Sequence, residues 1–361
     1  MKNIVYILLI ALLYFPEVNS QIVYHNADEF PLYGKATVHT ESRYERLPDS
    51  LKDTLRKPLW NLGKNTAGLA VRFRSNSTTI AAKWNVLFNN VMDHMTFVNT
   101  KGLDLYSLKD GAWRFVNVAR PFGHENSAVI IANMEPIDRE YLLYLPLYDG
   151  ITSLSIGVDS ISYLSQPLID YPVREKPLVF YGTSILQGGC ASRPGMAHTN
   201  IISRRLNREI INLGFSGNAF LDLEIAHIMA EVDAGAFILD FVPNASVQQM
   251  DEKGVDFYRI IREKHSSTPI LFIEDPVFTH MIFDRKVAKE VEAKNKALHA
   301  LFDKLKGQGE NNIHLVPSAN MIGHDGEATI DAIHFTDLGF VRYADMLCPI
   351  IQNLIKYSDS K

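Results

Sequence analysis

The sequence predicts two architectures in series: an N-terminal β-sandwich or jelly roll, then a three-layer α/β domain built on a parallel sheet. Three observations predict it. Up to about residue 165, apolar runs short enough for strands are separated by turn residues, and some alternate with the period of a half-buried strand. Beyond that point, short continuous apolar runs alternate with helical patterns, as in a parallel sheet covered on both faces. Between the two lies Gln166–Pro177, with three prolines in twelve residues, and proline removes a backbone donor and fixes φ. The 361 residues thus divide into a leader (1–20), a β-domain (21–165), a connector (166–177) and an α/β domain (178–358).

The leader comes first in the chain. Lys2 supplies a positive start, Ile4–Phe15 is an uncharged apolar run of twelve, and Pro16 breaks it ahead of Val18-Asn19-Ser20. At about 1.5 Å per residue, the run falls short of the ~30 Å of hydrocarbon that a spanning helix crosses. The order of regions fits a secretory signal cleaved near Gln21, so export to the periplasm or the extracellular space is expected. A core strand or a short anchor is the other reading, and no later stretch is long enough to span a membrane. Export would permit a Cys190–Cys348 disulfide, although two buried free thiols fit equally well. With 36 Lys+Arg against 41 Asp+Glu, the chain is not built to coat nucleic acid or anionic membrane. Its 47% hydrophobic content excludes a disordered chain, and two cysteines exclude a disulfide-stapled scaffold.

In the β-domain, Leu69–Arg74 alternates, Ser75-Asn76-Ser77 supplies a turn, and Thr79–Val86 follows as a partner strand. Leu103–Leu108 and Trp113–Val118 flank Lys109-Asp110-Gly111 as a hairpin. Tyr141–Leu147 and Thr152–Val158 flank Tyr148-Asp149-Gly150, which reads as another. Trp60, Trp84 and Trp113 could stack on a sugar ring or simply fill the sandwich core.

In the α/β half, the strand candidates are Leu178–Tyr181, Glu209–Leu213, Ala236–Phe241, Ile270–Ile273 and Ile313–Val316. Helical patterns lie at Thr199–Leu206, Leu221–Val232, Gly254–His265, Arg285–Leu305 and Asp337 to about Ile355. Sites in such folds form outside the carboxyl ends of the strands. Strand one runs into Tyr181-Gly182-Thr183-Ser184, where Ser184 is either an exposed hydroxyl or a helix N-cap. No lysine follows Gly188-Gly189, so a phosphate loop is excluded, and the Gly-x-Gly-x-x-Gly dinucleotide pattern is absent. Strand two ends near Gly217, whose N–H could face a ligand. Strand three ends in Val242-Pro243-Asn244, whose amide can donate to an oxyanion or make a turn. After the last strand comes Asp331-Ala332-Ile333-His334, the only Asp-x-x-His in the chain, in which Asp331 can orient the imidazole. Thr336 or Asp337 then caps the terminal helix. Cys190, Arg193 and His198 follow the nucleophile candidate and His280 follows strand four, which makes them candidate substrate contacts, with a surface or helix-end charge as the other reading of Arg193 and a similar one for His280.

Together these residues supply a nucleophile, a general base with its orienting carboxylate, and oxyanion donors at one sheet edge. At this point the chain resembles the SGNH/GDSL hydrolase superfamily over about residues 176–358. The family's four named residues map onto Ser184, Gly217, Asn244 and His334, with Asp331 as third member of the triad. The Gly-Asp-Ser block reads Gly182-Thr183-Ser184 here, and the Gly-x-Asn-Asp block reads Asp240-Phe241-Val242-Pro243-Asn244. A branch of the superfamily carries such a Pro-Asn together with an N-terminal β-domain marked Gly-x-Asp-Leu-Tyr, present here as Gly102-Leu103-Asp104-Leu105-Tyr106. The resemblance implies a flavodoxin-like catalytic domain and a serine esterase with catalytic Ser184, His334 and Asp331. Its oxyanion hole would be formed by Ser184, Gly217 and Asn244. It implies no cofactor and no metal. The expected partner is an acylated small molecule or a glycan ester, with removal of acetyl groups from carbohydrate as the leading activity. A lipase or thioesterase on the same scaffold, and a glycan-binding protein with a vestigial hydrolase half, are the alternatives.

Overall fold

Residues 21–169 and 176–358 are described by a computed structural model of the chain. The leader and residues 170–175 of the connector lie outside the described residues. The first half holds β1 (Ile22–Asn26), β2 (Leu32–Tyr33), α1 (Lys57–Gly63), β3 (Ala70–Ser75), β4 (Ile80–Val86) and α2 (Phe97–Lys101). It continues with β5 (Leu103–Lys109), β6 (Ala112–Ala119), β7 (Glu125–Ile131), β8 (Arg139–Tyr144), β9 (Ile151–Asp159) and β10 (Leu164–Ser165). One antiparallel sheet has the order β1-β9-β4-β7, and the other runs β10-β3-β8-β5-β6 with β2 beside β3. Their inner faces share one core, because Val71 and Phe73 of β3 meet Ile80, Ala82 and Trp84 of β4 at alternate positions.

The β5–β6 hairpin forms as expected, with Asp110 and Gly111 both at positive φ, the conformation that suits a tight two-residue turn. The other two turns behave differently. β3 pairs with β2, β8 and β10, whereas β4 pairs with β7 and β9, so Ser75–Thr79 crosses from one sheet to the other. Tyr148-Asp149-Gly150 crosses likewise, between β8 and β9. Turn chemistry serves a sandwich crossing as well as a hairpin, which is why the two read alike in sequence. Asp149 holds this second crossing by accepting the Phe88 and Asn90 N–H groups, both at 2.8 Å.

The second half contains β11 (Leu178–Gly182), α3 (Ser184–Gln187), α4 (His198–Leu206), β12 (Ile210–Gly214), α5 (Leu223–Ala230) and β13 (Ala236–Asp240). It ends with α6 (Val247–Lys264), β14 (Ile270–Ile273), α7 (Arg285–Gly307), β15 (Ile313–Val316) and α8 (Asp337–Ser358). All five strands are parallel, in the order β12-β11-β13-β14-β15. The chain order reverses at β11, so that strand's carboxyl end opens onto the switch point where such sheets bind ligands. α5, α6 and α7 cover one face and α4 and α8 the other, giving three layers.

Both cores of the α/β half take in residues from the first half. Leu47, Leu55, Leu59 and Trp60 join one, and Ala67, Met95, Leu147 and Tyr148 join the other. The outer face of the β3–β8–β5 sheet is buried too, through Ala70, Tyr106, Leu142 and Tyr144. Trp60 and Trp84 are core residues, and Trp113 is half-buried beneath the Arg72 guanidinium. No helix among the described residues is long and apolar enough to cross a membrane.

Two buried carboxyls stand near strand ends. Burial pushes Asp240 up to about 7, only partly opposed by a 2.9 Å hydrogen bond from the Tyr343 hydroxyl. Burial raises Asp275 to about 7 as well, and the charge of Asp240 adds to it. In the unfolded chain, aspartate titrates near ~3.9. Between that pH and 7 the folded state holds more protons, so stability falls as pH rises across this window. Thermal unfolding followed from pH 4 to 8 should show the decline, and Asp240→Asn should flatten it. An identical slope in the variant would contradict the assignment.

Candidate active site

Ser184 opens α3, the single turn that follows β11. Thr183 caps that turn, its hydroxyl accepting the Ile185 N–H at 3.3 Å, so the Ser184 hydroxyl is left for another partner. That partner is His334, with Ser184 Oγ 2.9 Å from Nε2. Gly182 is required just before, since a Cβ there would lie 2.4 Å from the Asp240 carbonyl oxygen of the neighbouring strand.

His334 is presented by a tight turn in which Ala332 takes a φ of +73°. Asp331 folds back inside it. Its Oδ1 accepts the backbone N–H groups of His334 at 2.7 Å and Ile333 at 3.1 Å, and its Oδ2 accepts from His334 Nδ1 at 2.7 Å. Burial acts to raise the Asp331 pKa, but these hydrogen bonds outweigh it and hold the carboxyl below its ordinary value. An ionised carboxylate can only accept, so Nδ1 carries the proton and Nε2 turns its lone pair to Ser184. Thr336 and Asp337 then divide their expected role. Thr336 Oγ1 accepts the Gly339 N–H in the first turn of α8, whereas Asp337 accepts from both N and Oγ of Ser192.

The donors stand on the two neighbouring strand ends. Neither the Ser184 nor the Gly217 N–H finds an acceptor among the described residues. Gly217 has a φ of +64° and open space around it, so glycine is there for its backbone conformation. The Asn244 Oδ1 accepts the Ala219 N–H at 3.3 Å, which fixes the amide and leaves Nδ2 without an acceptor among the described residues. Gln187 ties these parts together: its Oε1 takes the Ser216 N–H at 2.9 Å and its Nε2 donates to the Leu147 carbonyl at 2.9 Å.

The β-domain builds much of the site. The Tyr148 hydroxyl donates to the Ser184 carbonyl at 3.1 Å, and Asn99 Nδ2 donates to the carbonyls of Gly188 and Ala191 at 2.9 and 2.8 Å. Arg46 is almost fully buried and donates to four carbonyls, among them Asn212 and Gly214 on β12, each at 2.9 Å. The Gly-x-Asp-Leu-Tyr motif is a clamp. Asp104 Oδ2 accepts from Arg193 Nη1 and from the Gly195 N–H, both at 2.7 Å, and the Tyr106 hydroxyl accepts from Arg193 at 2.6 Å. The clamp fixes the loop that leaves α3. His94, from the segment between β4 and α2, brings its ring centroid within 5.7 Å of that of His334.

Two expected substrate contacts are corrected. Arg193 is engaged by Asp104 and stacks on Phe115 at 3.8 Å, so its charge belongs to the interface. His198 is wholly buried against Phe180, Phe340 and Tyr343, and burial pulls its pKa down to about 3, so it is a neutral core residue. His280 is half-buried beside Phe278 and bonds none of Ser184, His334 or Asp331. Cys190 and Cys348 are free thiols. Tyr148, Asn99, Gln187, Arg46 and His94 escaped the sequence reading. Of these, Tyr148 stands in the Tyr148-Asp149-Gly150 segment, whose turn residues carry no sign of a site role.

A cavity of about 500 Å³ opens beside Gly217, lined by Asn61, Asn65, Phe88, Asn90, Tyr148 and Asn218 among others. None of its lining side chains is ionised. Another cavity of about 620 Å³, between α6 and α7, lies away from the Ser184–His334 pair.

Comparison with known proteins follows the same division of the chain. Residues 175–352 match the GDSL-like lipase/acylhydrolase family, and residues 22–164 match the N-terminus of SGNH-hydrolase-type esterases. A solved structure described as a GDSL-like lipase from Bacteroides ovatus ATCC 8483 is 38% identical, with a TM-score of 0.89 over 93% of this chain and 98% of that one. A salicylyl-acyltransferase from a tetracycline biosynthetic pathway shares the fold at 16% identity and TM-score 0.69, covering 93% and 97% of the two chains. A family two carbohydrate esterase from Cellvibrio japonicus shares it at 9% identity and TM-score 0.61, covering 94% and 99%. No curated protein matches the chain.

Proposed function

The chain belongs to the GDSL-like lipase/acylhydrolase family and is an esterase of the SGNH type, and from that premise we propose that it removes short acyl groups, acetyl foremost, from carbohydrate. The observation that carries the chemistry is the unbroken hydrogen-bond chain from Ser184 Oγ through His334 to Asp331. Ser184 Oγ attacks the ester carbonyl while His334 Nε2 takes its proton, and Asp331 stabilises the resulting imidazolium. The N–H groups of Ser184 and Gly217 and the Asn244 amide receive the developing oxyanion, each such donor being worth about 10²–10³ in kcat. His334 returns the proton to the departing alcohol. Water then attacks the acyl-enzyme with His334 again as base, releasing the carboxylic acid and restoring the serine.

The cavity beside Gly217 supports the substrate class. Amides and a tyrosine line it with apolar neighbours and no ionised group, a setting that suits a neutral, hydroxyl-rich leaving group rather than a charged one. The likeness to carbohydrate esterases at 9–11% identity speaks for the fold alone. The pattern of residues 1–20 supports an exported enzyme.

A series of p-nitrophenyl acyl esters, run beside acetate release from acetylated oligosaccharides and polysaccharides, tests this reading. We expect turnover to fall as the acyl chain lengthens beyond a few carbons, and acetate to be freed from at least one glycan. A rising rate towards long chains, with no acetate release from any glycan, would replace the reading with a lipase.

A further inference from the structure

We propose that His94, Cys190 and His334 form an inhibitory site for a borderline-soft divalent cation, zinc first among them, shared between the β-domain and the α/β domain. One ligand atom from each residue, an imidazole nitrogen or the Cys190 sulfur, lies within 4.8 Å of the other two. The second observation is how the two rings are held. His334 Nδ1 is bonded to Asp331 at 2.7 Å, and His94 Nδ1 is bonded to Asp93 at 2.8 Å, so both rings keep Nε2 for a further partner. A carboxylate on the remote nitrogen is the support that metal-binding histidines usually have, because it fixes the tautomer and raises ligand basicity. Two imidazoles and a thiolate form a donor set that zinc favours.

The three residues lie far apart in sequence, and no ligand spacing announces them. Bond lengths of roughly 2.0–2.3 Å around a tetrahedral ion place its ligands about 3.3–3.7 Å apart, so the present cluster must contract by about 1 Å. His94 is the member able to move, since its side chain is partly exposed on the segment that joins β4 to α2. Cys190 is anchored, for Asn99 holds the carbonyls of Gly188 and Ala191 on either side of it. Water or Ser184 Oγ, 2.9 Å from His334 Nε2, can complete the coordination. On binding, the thiol releases its proton to solvent and the thiolate donates to the ion. The lone pair on His334 Nε2 is then committed to the cation and cannot accept the Ser184 proton. Inhibition therefore rests on the reading of His334 as general base, whereas binding does not.

Calorimetric titration of the whole chain with zinc chloride, paired with the p-nitrophenyl acetate rate at each metal concentration, tests both parts. We expect one ion per chain, a matching fall in rate reversed by EDTA, and binding weakened at least about tenfold in His94→Ala and in Cys190→Ala. Each variant is compared with its own metal-free rate, and His94→Ala alters only a partly exposed side chain, so folding does not confound it. Zinc binding indifferent to both substitutions would overturn the site while leaving the esterase reading intact. Stoichiometric binding that depends on both residues but leaves turnover untouched would overturn the inhibitory role and leave the esterase reading intact.

Discussion

Replacing Ser184 with alanine is expected to lower kcat by about 10⁴–10⁶-fold, with KM and the unfolding transition little changed. The structure separates this effect from a loss of folding. The only described partner of the Ser184 hydroxyl is His334, while Thr183 performs the helix capping that a serine at this turn could otherwise provide. A structural Ser184 would thus lose a little stability and keep its rate. A nucleophilic Ser184 loses the rate and keeps its fold. Steady-state kinetics beside a thermal melt decides between them, and His334→Ala should fall to a similar residual rate because the two groups act as one unit.

The second large effect is on stability. Asp104→Asn keeps the shape of the side chain but removes the charge that faces Arg193 in a clamp where Asp104 is fully buried and Arg193 partly so. Leaving one member of a fully buried pair without its partner costs about 3–5 kcal/mol, more than replacing both with apolar residues of similar volume, and the partial exposure of Arg193 places Asp104→Asn at or below the low end of that range. Urea denaturation should therefore show Asp104→Asn and Arg193→Met each strongly destabilised, and the double variant less so than the sum. Equal midpoints for wild type and Asp104→Asn would refute the clamp. The clamp also reaches the site. Asp104 holds the Gly195 N–H in the loop leaving α3, and Gly189 in that loop lies close enough for an added Cβ to sit 3.4 Å from the His334 ring. Loss of kcat below the unfolding transition is expected to accompany the loss of stability.

The legible part of this protein was local. Five apolar runs read as parallel strands because burial on both faces leaves no alternation, and each became a strand of the parallel sheet. Ser184, Gly217, Asn244 and the Asp331–His334 pair stood out because ends of such strands are where loops converge. What stayed hidden was long-range. Arg46 donates to a strand some 166 residues later in the chain, and Asn99 holds a loop some 89 residues away, pairings that no periodicity encodes. His198 follows a strand end as a substrate contact would, yet packing made it core. The β-domain shows the same limit. Its strands were readable, but Tyr148, placed by a crossing that resembles a hairpin turn, bonds the backbone of the proposed nucleophile itself.

The central claim is that Ser184 forms the acyl-enzyme with His334 as its base, and phosphonylation tests it most directly. The chain, treated with a fluorophosphonate and digested, should carry a single adduct on the peptide containing Ser184, formed in step with loss of esterase activity and nearly absent in His334→Ala. An adduct on another residue that abolishes turnover while Ser184 stays unmodified would contradict the account.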